Sequence, residues 1–120
     1  MIIRDEQMQA FEGQSRANFH RQLMDYLRQE LPEQTKPLDD AALREQIMES
    51  ERRAANYGIE TQSGIAQWTC LTFALGREFD AIPQIHAFLG AQDLPDDPET
   101  RLSSLVESLN SVLGEPGAHQ

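Results

Sequence analysis

The sequence predicts an all-α protein: a compact bundle of four or five helices around a central apolar helix. Three observations carry this expectation. Apolar residues recur mostly at steps of three and four, the period of amphipathic helices. No stretch alternates apolar and polar residues as a half-buried strand would. The few glycines and prolines, seven and six in 120 residues, fall mainly where those periodic runs stop.

The first predicted helix spans residues 5–30. It carries Met8, Phe11, Phe19, Leu23, Tyr26, Leu27 and Leu31, with Ser15 inside the gap between the two phenylalanines. Glu12 stands four residues before Arg16, the favourable order for a surface ion pair. Pro32 ends the run, and residues 32–37 read as a connecting loop.

Asp39 and Asp40 are N-cap candidates for a second helix reaching Tyr57, with Leu43, Ile47, Ala54 and Tyr57 inside. Asp40–Arg44 and Glu49–Arg53 repeat the acid-before-base spacing. Gly58 and Ile59 fit the left-handed and apolar positions of a Schellman ending.

The third helix, capped by Thr61 or Ser63, differs in kind. Ile65, Ala66, Trp68, Cys70, Leu71, Phe73, Ala74 and Leu75 leave almost no polar side, and no charge falls between Thr61 and Gly76. A helix apolar nearly all round is enclosed by its neighbours, which makes this one the core. Trp68, Leu71, Phe73 and Leu75 are expected inside, although a tryptophan also suits an interface anchor.

Residues 77–80 read as a turn whose Phe79 tucks into the core. A short helix from Pro83 to Leu89 should face Ile82, Ile85, Phe88 and Leu89 inward. Residues 90–96 form a loop. Asp97-Pro98 then pairs an N-cap with proline at the first helical position. The last helix sets Leu102, Leu105, Val106, Leu109, Val112 and Leu113 on one stripe and stops at Gly114. One helical domain over residues 1–114 is expected, with 115–120 a flexible tail.

Twenty acidic against ten basic residues give a formal charge of −10. Residues 1–60 hold 12 acids and 8 bases, whereas 61–120 hold 8 acids and only Arg77 and Arg101. Nucleic-acid binding draws its affinity from neutralised phosphates, so DNA and RNA are not expected partners. The acidic surface serves solubility and could also steer a basic partner. No run reaches the roughly 18 apolar residues of a membrane span. The early charges Arg4, Asp5 and Glu6 do not suit a secretory signal, and a lone Cys70 cannot form an internal disulfide. The cytoplasm is the expected compartment.

Candidate chemistry is sparse. His20, His86 and His119 are far apart and open no ligand-spaced motif, so no metal is expected. Cys70 sits in the most apolar helix, where burial raises a thiol pKa and suits a small core residue better than a nucleophile. Gly58, Gly64, Gly76 and Gly90 punctuate helices rather than forming a phosphate loop, and no cofactor motif occurs. The pairs Asp39/Asp40 and Asp96/Asp97 sit where caps belong. No enzyme is predicted.

Arg53-Ala54-Ala55-Asn56-Tyr57-Gly58-Ile59, Trp68-Thr69-Cys70-Leu71-Thr72 and Leu75-Gly76-Arg77-Glu78-Phe79-Asp80, after an opening Met1-Ile2-Ile3-Arg4-Asp5-Glu6-Gln7, carry a resemblance. Over most of residues 1–89 the chain resembles small bacterial proteins encoded beside type VI secretion effectors and their adaptor chaperones. The neutral Thr61-Gln62-Ser63-Gly64 departs from the charged turn often found there. The resemblance implies an accessory role, an adaptor or co-chaperone that holds a secretion effector or its chaperone. The alternative is an acidic inhibitor, an immunity protein or phage-type inhibitor that blocks a toxin or nuclease. The two differ in salt response, because binding through charge weakens steeply with ionic strength. Apolar side chains left uncovered on the first helix (Met8, Phe11, Phe19) or the last (Leu102, Leu109, Leu113) would mark a partner or homodimer surface. Phe11 and Phe19, eight residues apart, are the expected partner anchors.

Overall fold

The 15 residues Arg16–Glu30 form α1, and their start is written locally. Gly13 takes φ +81°, a conformation that favours glycine, and breaks the chain away from the helical Met8 and Gln9. Ser15 then caps α1 by accepting from the Asn18 amide. Among the described residues, the single helix expected over 5–30 is thus broken between Gln9 and Arg16. The computed structural model describes residues 8–76, 78–90 and 97–113, with the side chains of 109–113 excepted. The expectations for residues 1–7, Arg77, the 91–96 loop, the stop at Gly114, the tail, and the side chains of Leu109, Val112 and Leu113 lie outside that set.

Within it the chain is all-helical, with six α-helices and one 3-10 turn among the described residues. The one-turn α2 (Pro32–Thr35) occupies the expected loop. Helix α3 (Asp40–Ala55) starts at Asp39, whose carboxylate accepts from the Ala42 amide at 2.8 Å. It ends in a Schellman turn: the Ile59 amide donates to Ala54 O and the Gly58 amide to Ala55 O, with Gly58 at φ +83°. Helix α4 (Gln62–Leu75) is capped by Thr61 Oγ1 on the Gly64 amide. A 3-10 turn (Phe79–Ala81), α5 (Pro83–Leu89) and α6 (Pro98–Leu113) follow, and Asp97 caps α6 through the Thr100 amide at 2.7 Å.

Helix α4 is the centre. Every residue from 63 to 72 is buried, and α3, α6, α1 and the 3-10 turn all pack on it. Trp68 and Leu71 are fully enclosed, while Phe73 and Leu75, nearer the end, are half-buried. Phe79 inserts beside Trp68, ring centroids 4.8 Å apart. Among the described residues no helix is long and apolar enough to cross a membrane.

Local ion pairs mostly give way to long-range ones. Glu12 turns from Arg16 to accept from the Ser63 amide at 2.6 Å, and Arg16 reaches Glu51 on α3 at 2.8 Å. Asp40 pairs with Arg28, 3.0 Å away, rather than with Arg44. Arg28 also donates to Thr35 O and Leu38 O, which pins α2 and the following loop to α1. Of the three predicted pairs only Glu49–Arg53 forms, at 3.8 Å. An exposed i,i+4 pair is worth a few tenths of a kcal/mol, too little to hold Arg16 or Asp40 when the fold brings another partner within reach.

Gly64 shows how tightly the first turn of α4 is packed. A Cβ there would lie 2.7 Å from Ile59 Cγ2 and 2.9 Å from Thr61 Oγ1, and would collide with a Glu99 carboxylate oxygen. Alanine ordinarily gains about 1 kcal/mol over glycine inside a helix. Here Gly64→Ala is expected to lose about 1–3 kcal/mol instead through overpacking, measurable as a lower urea midpoint.

Candidate functional site

Phe11 and Phe19, expected as exposed anchors, are core residues. Phe19 is 0% exposed and Phe11 6%, and their rings meet edge to face at 5.8 Å. Phe11 makes a second edge contact with Tyr26, also at 5.8 Å. The physical reason is the break at Gly13, which lets the 8–12 turn lie back over α1. Met8 and Leu102 are likewise fully buried, so of the six residues expected to be uncovered the four with described side chains are all enclosed.

The open apolar surface lies where the sequence predicted an inward face. Of the four residues assigned inward on α5, only Leu89 is buried. Ile82 is 39% exposed, and Ile85 and Phe88 are half-covered. Helix α5 is seven residues long, and among the described residues its main packing partners are the 3-10 turn and α6. Between α5 and α6 runs an open groove of about 250 Å³, lined by Gln84, Ile85 and Phe88 on one side and Ser104, Leu105 and Ser108 on the other. Periodicity could not find it, because an apolar residue in a short helix looks the same whether or not a neighbour arrives.

A polar cluster holds α5 from its other side. Arg53 on α3 forms an ion pair with Asp80 of the 3-10 turn. Tyr57 Oη lies 3.3 Å from Asp80 Oδ2 and 2.9 Å from His86 Nδ1 on α5. The Tyr57 ring rests against Trp68, with centroids 5.4 Å apart. Burial, then the Asp80 charge, pushes the Tyr57 phenol up, while the Asp80 bond raises the Arg53 guanidinium further above its already high value. Both shifts move these groups away from acid–base work near neutral pH. The cluster can clasp α3, the 3-10 turn and α5 together. Arg53, Tyr57 and Asp80 come from three separate places in the sequence, and no local signal links any of them to His86.

Two other features complete the polar surface. A cleft of about 680 Å³ between α1 and α3 is lined by Arg21, Met24, Asp25, Arg28, Asp40, Ala41 and Arg44. Its charges alternate, and Arg28 is already engaged by two carbonyls and Asp40. Nearby, His20 Nε2 and Arg16 both meet the Glu51 carboxylate, at 2.9 and 2.8 Å. Among the described residues no group of three His, Cys, Asp or Glu is arranged to hold a metal ion.

Burial raises the Glu51 pKa, but the bonds from Arg16 and His20 together outweigh it and hold the carboxyl below its ordinary 4.5. A lowered folded-state pKa stabilises the fold above the unfolded value, and that contribution fades as pH falls through the folded value. Glu51→Gln should therefore weaken the protein most at neutral pH, and the gap from the parent should narrow below about pH 4.5 in urea titrations. Cys70 is completely buried, and desolvation followed by the Glu30 charge pushes its thiol up to about 12. Its alkylation in native protein should run at the rate of unfolding and become rapid only in denaturant, measured by thiol-reagent labelling.

No protein-family model, curated protein or solved structure matches this chain.

Proposed function

We propose that this chain is a non-enzymatic accessory protein, an adaptor or co-chaperone that holds another protein in the groove between α5 and α6. The observation that supports this reading is the groove itself. Ile85, Phe88 and Leu105 bring half-exposed apolar side chains together along it, and Ile82, the one large hydrophobic that is exposed among the described residues, stands just before α5. Uncovered apolar surface of this kind marks an interaction site. The resemblance to proteins encoded beside type VI secretion effectors points to an effector or its dedicated chaperone as the partner. The proposed setting is the cytoplasm, where the lone Cys70 stays reduced.

Phe88 is the residue to change, because it lines the groove without being enclosed. Phe88→Asp should keep the helical circular dichroism spectrum of the parent while reducing co-purification of the native partner by about tenfold or more, as loss of an interface anchor does. Undiminished co-purification by the folded variant would remove the groove from the interface.

A further inference from the structure

We infer that the occupant of the groove is a short amphipathic helix of the partner, with two or three apolar side chains set between α5 and α6 and lysine or arginine on its outer face. This rests on the groove reading above and goes beyond it by giving the occupant a chemistry. Three observations lead there.

The first is size and shape. About 250 Å³ lies below the roughly 300–1,000 Å³ of small-molecule sites, yet suffices for a few side chains. The second is the pattern of the walls. Gln84, Ile85 and Phe88 stand at positions i, i+1 and i+4 of α5, and Ser104, Leu105 and Ser108 repeat that spacing on α6. Two such rows make a trough that takes the i, i+3 and i+4 side chains of a third helix. Both walls are helical, so their backbone groups are used within the helices and no strand edge is offered to an extended peptide.

The third observation is charge. Among the described residues of 78–90 and 97–108, Glu78, Asp97 and Glu107 are exposed, while Arg101, the only lysine or arginine, is buried. A basic helix meets a complementary field there. A second copy of this chain meets the reverse: a two-fold contact lays the same face on itself, acids opposite acids, between molecules of charge −10.

The test uses the full chain and three labelled designed peptides of about 14 residues, long enough to form a helix on binding. One is an amphipathic leucine–lysine helix. The second has glutamate in place of lysine, and the third keeps the leucine–lysine composition with a central proline. The basic helix should bind about tenfold or more tightly than either control, and its affinity should fall with added salt. Amide shifts on binding should cluster at residues 84–88 and 104–108. Leu105→Ser should weaken binding, and so should Ser104→Lys, which changes an exposed rim residue and leaves the core alone. Equal binding of the acidic or the proline peptide, shifts centred on the α1–α3 cleft, or absence of binding would each overturn the inference. So would sedimentation of the free chain as a dimer that Leu105→Ser dissolves, since the occupant would then be a second copy. If these results go against the basic helix while Phe88→Asp still loses the native partner, the groove reading stands and only the occupant is wrong. If folded Phe88→Asp loses nothing, the groove reading falls as well.

Discussion

The structure depends on satisfying the first turn of a helix that has no charge of its own. Helix α4 is buried over ten consecutive residues, and its leading amides have no partners within the helix. Two carboxylates from distant segments meet this end, one on an amide of the first turn and one on the amides and hydroxyl of the cap just before it. Glu12 accepts from the Ser63 amide, and Glu99 accepts from the Glu60 and Thr61 amides and from Thr61 Oγ1. Gln62 adds a two-way exchange with Gln14, donating to its carbonyl and accepting from its amide. Hydrogen bonds to charged groups are worth about 1.5–3 kcal/mol each, and the positive end of the helix favours carboxylates there. The 8–14 turn, the 58–61 loop and the start of α6 therefore converge on one place, and Gly64 is small because they do.

How much of this the sequence discloses follows from the range of each interaction. Asp39, Thr61 and Asp97 each meet an amide three residues on, and Gly58 closes a six-residue loop, so their roles are legible locally. The core of α4 is legible too, because ten enclosed residues without a charge admit no exposed face. Glu12 and Glu99 are a different case. Their partners are 51 and 38–39 residues away, and a carboxylate bound for a distant amide looks like any surface acid. Phe11 lies on the helical stripe only if Gly13 continues the helix; its positive φ instead turns the preceding residues back over α1.

The candidate site was less legible than the fold for the same reason. Arg53 lies in the last turn of α3 and Tyr57 just beyond its end, and Asp80 follows the buried Phe79, but only the tertiary fold brings these residues to His86. The apolar residues of α5 were recognised and given the wrong surroundings. Burial is a property of neighbours, and a seven-residue helix has room for few. Helix α4 already takes α3, α6, α1 and the 3-10 turn, which leaves α5 to lean on the turn and on α6.

That position gives α5 a defined geometry despite its open flank. Leu89 anchors its end in the core, and His86 is tied to the hydroxyl of Tyr57, whose ring rests tilted against the central tryptophan. The clasp thus acts on the side of α5 away from the groove and fixes how Ile85 and Phe88 are presented to α6. A groove held open by the fold binds without first ordering its own walls, which lowers the cost of association. The tight packing of the core and the partial cover of α5 among the described residues are then two results of one arrangement: α1 and α3 pack on α4, while the 3-10 turn and α6 divide their surfaces between α4 and α5.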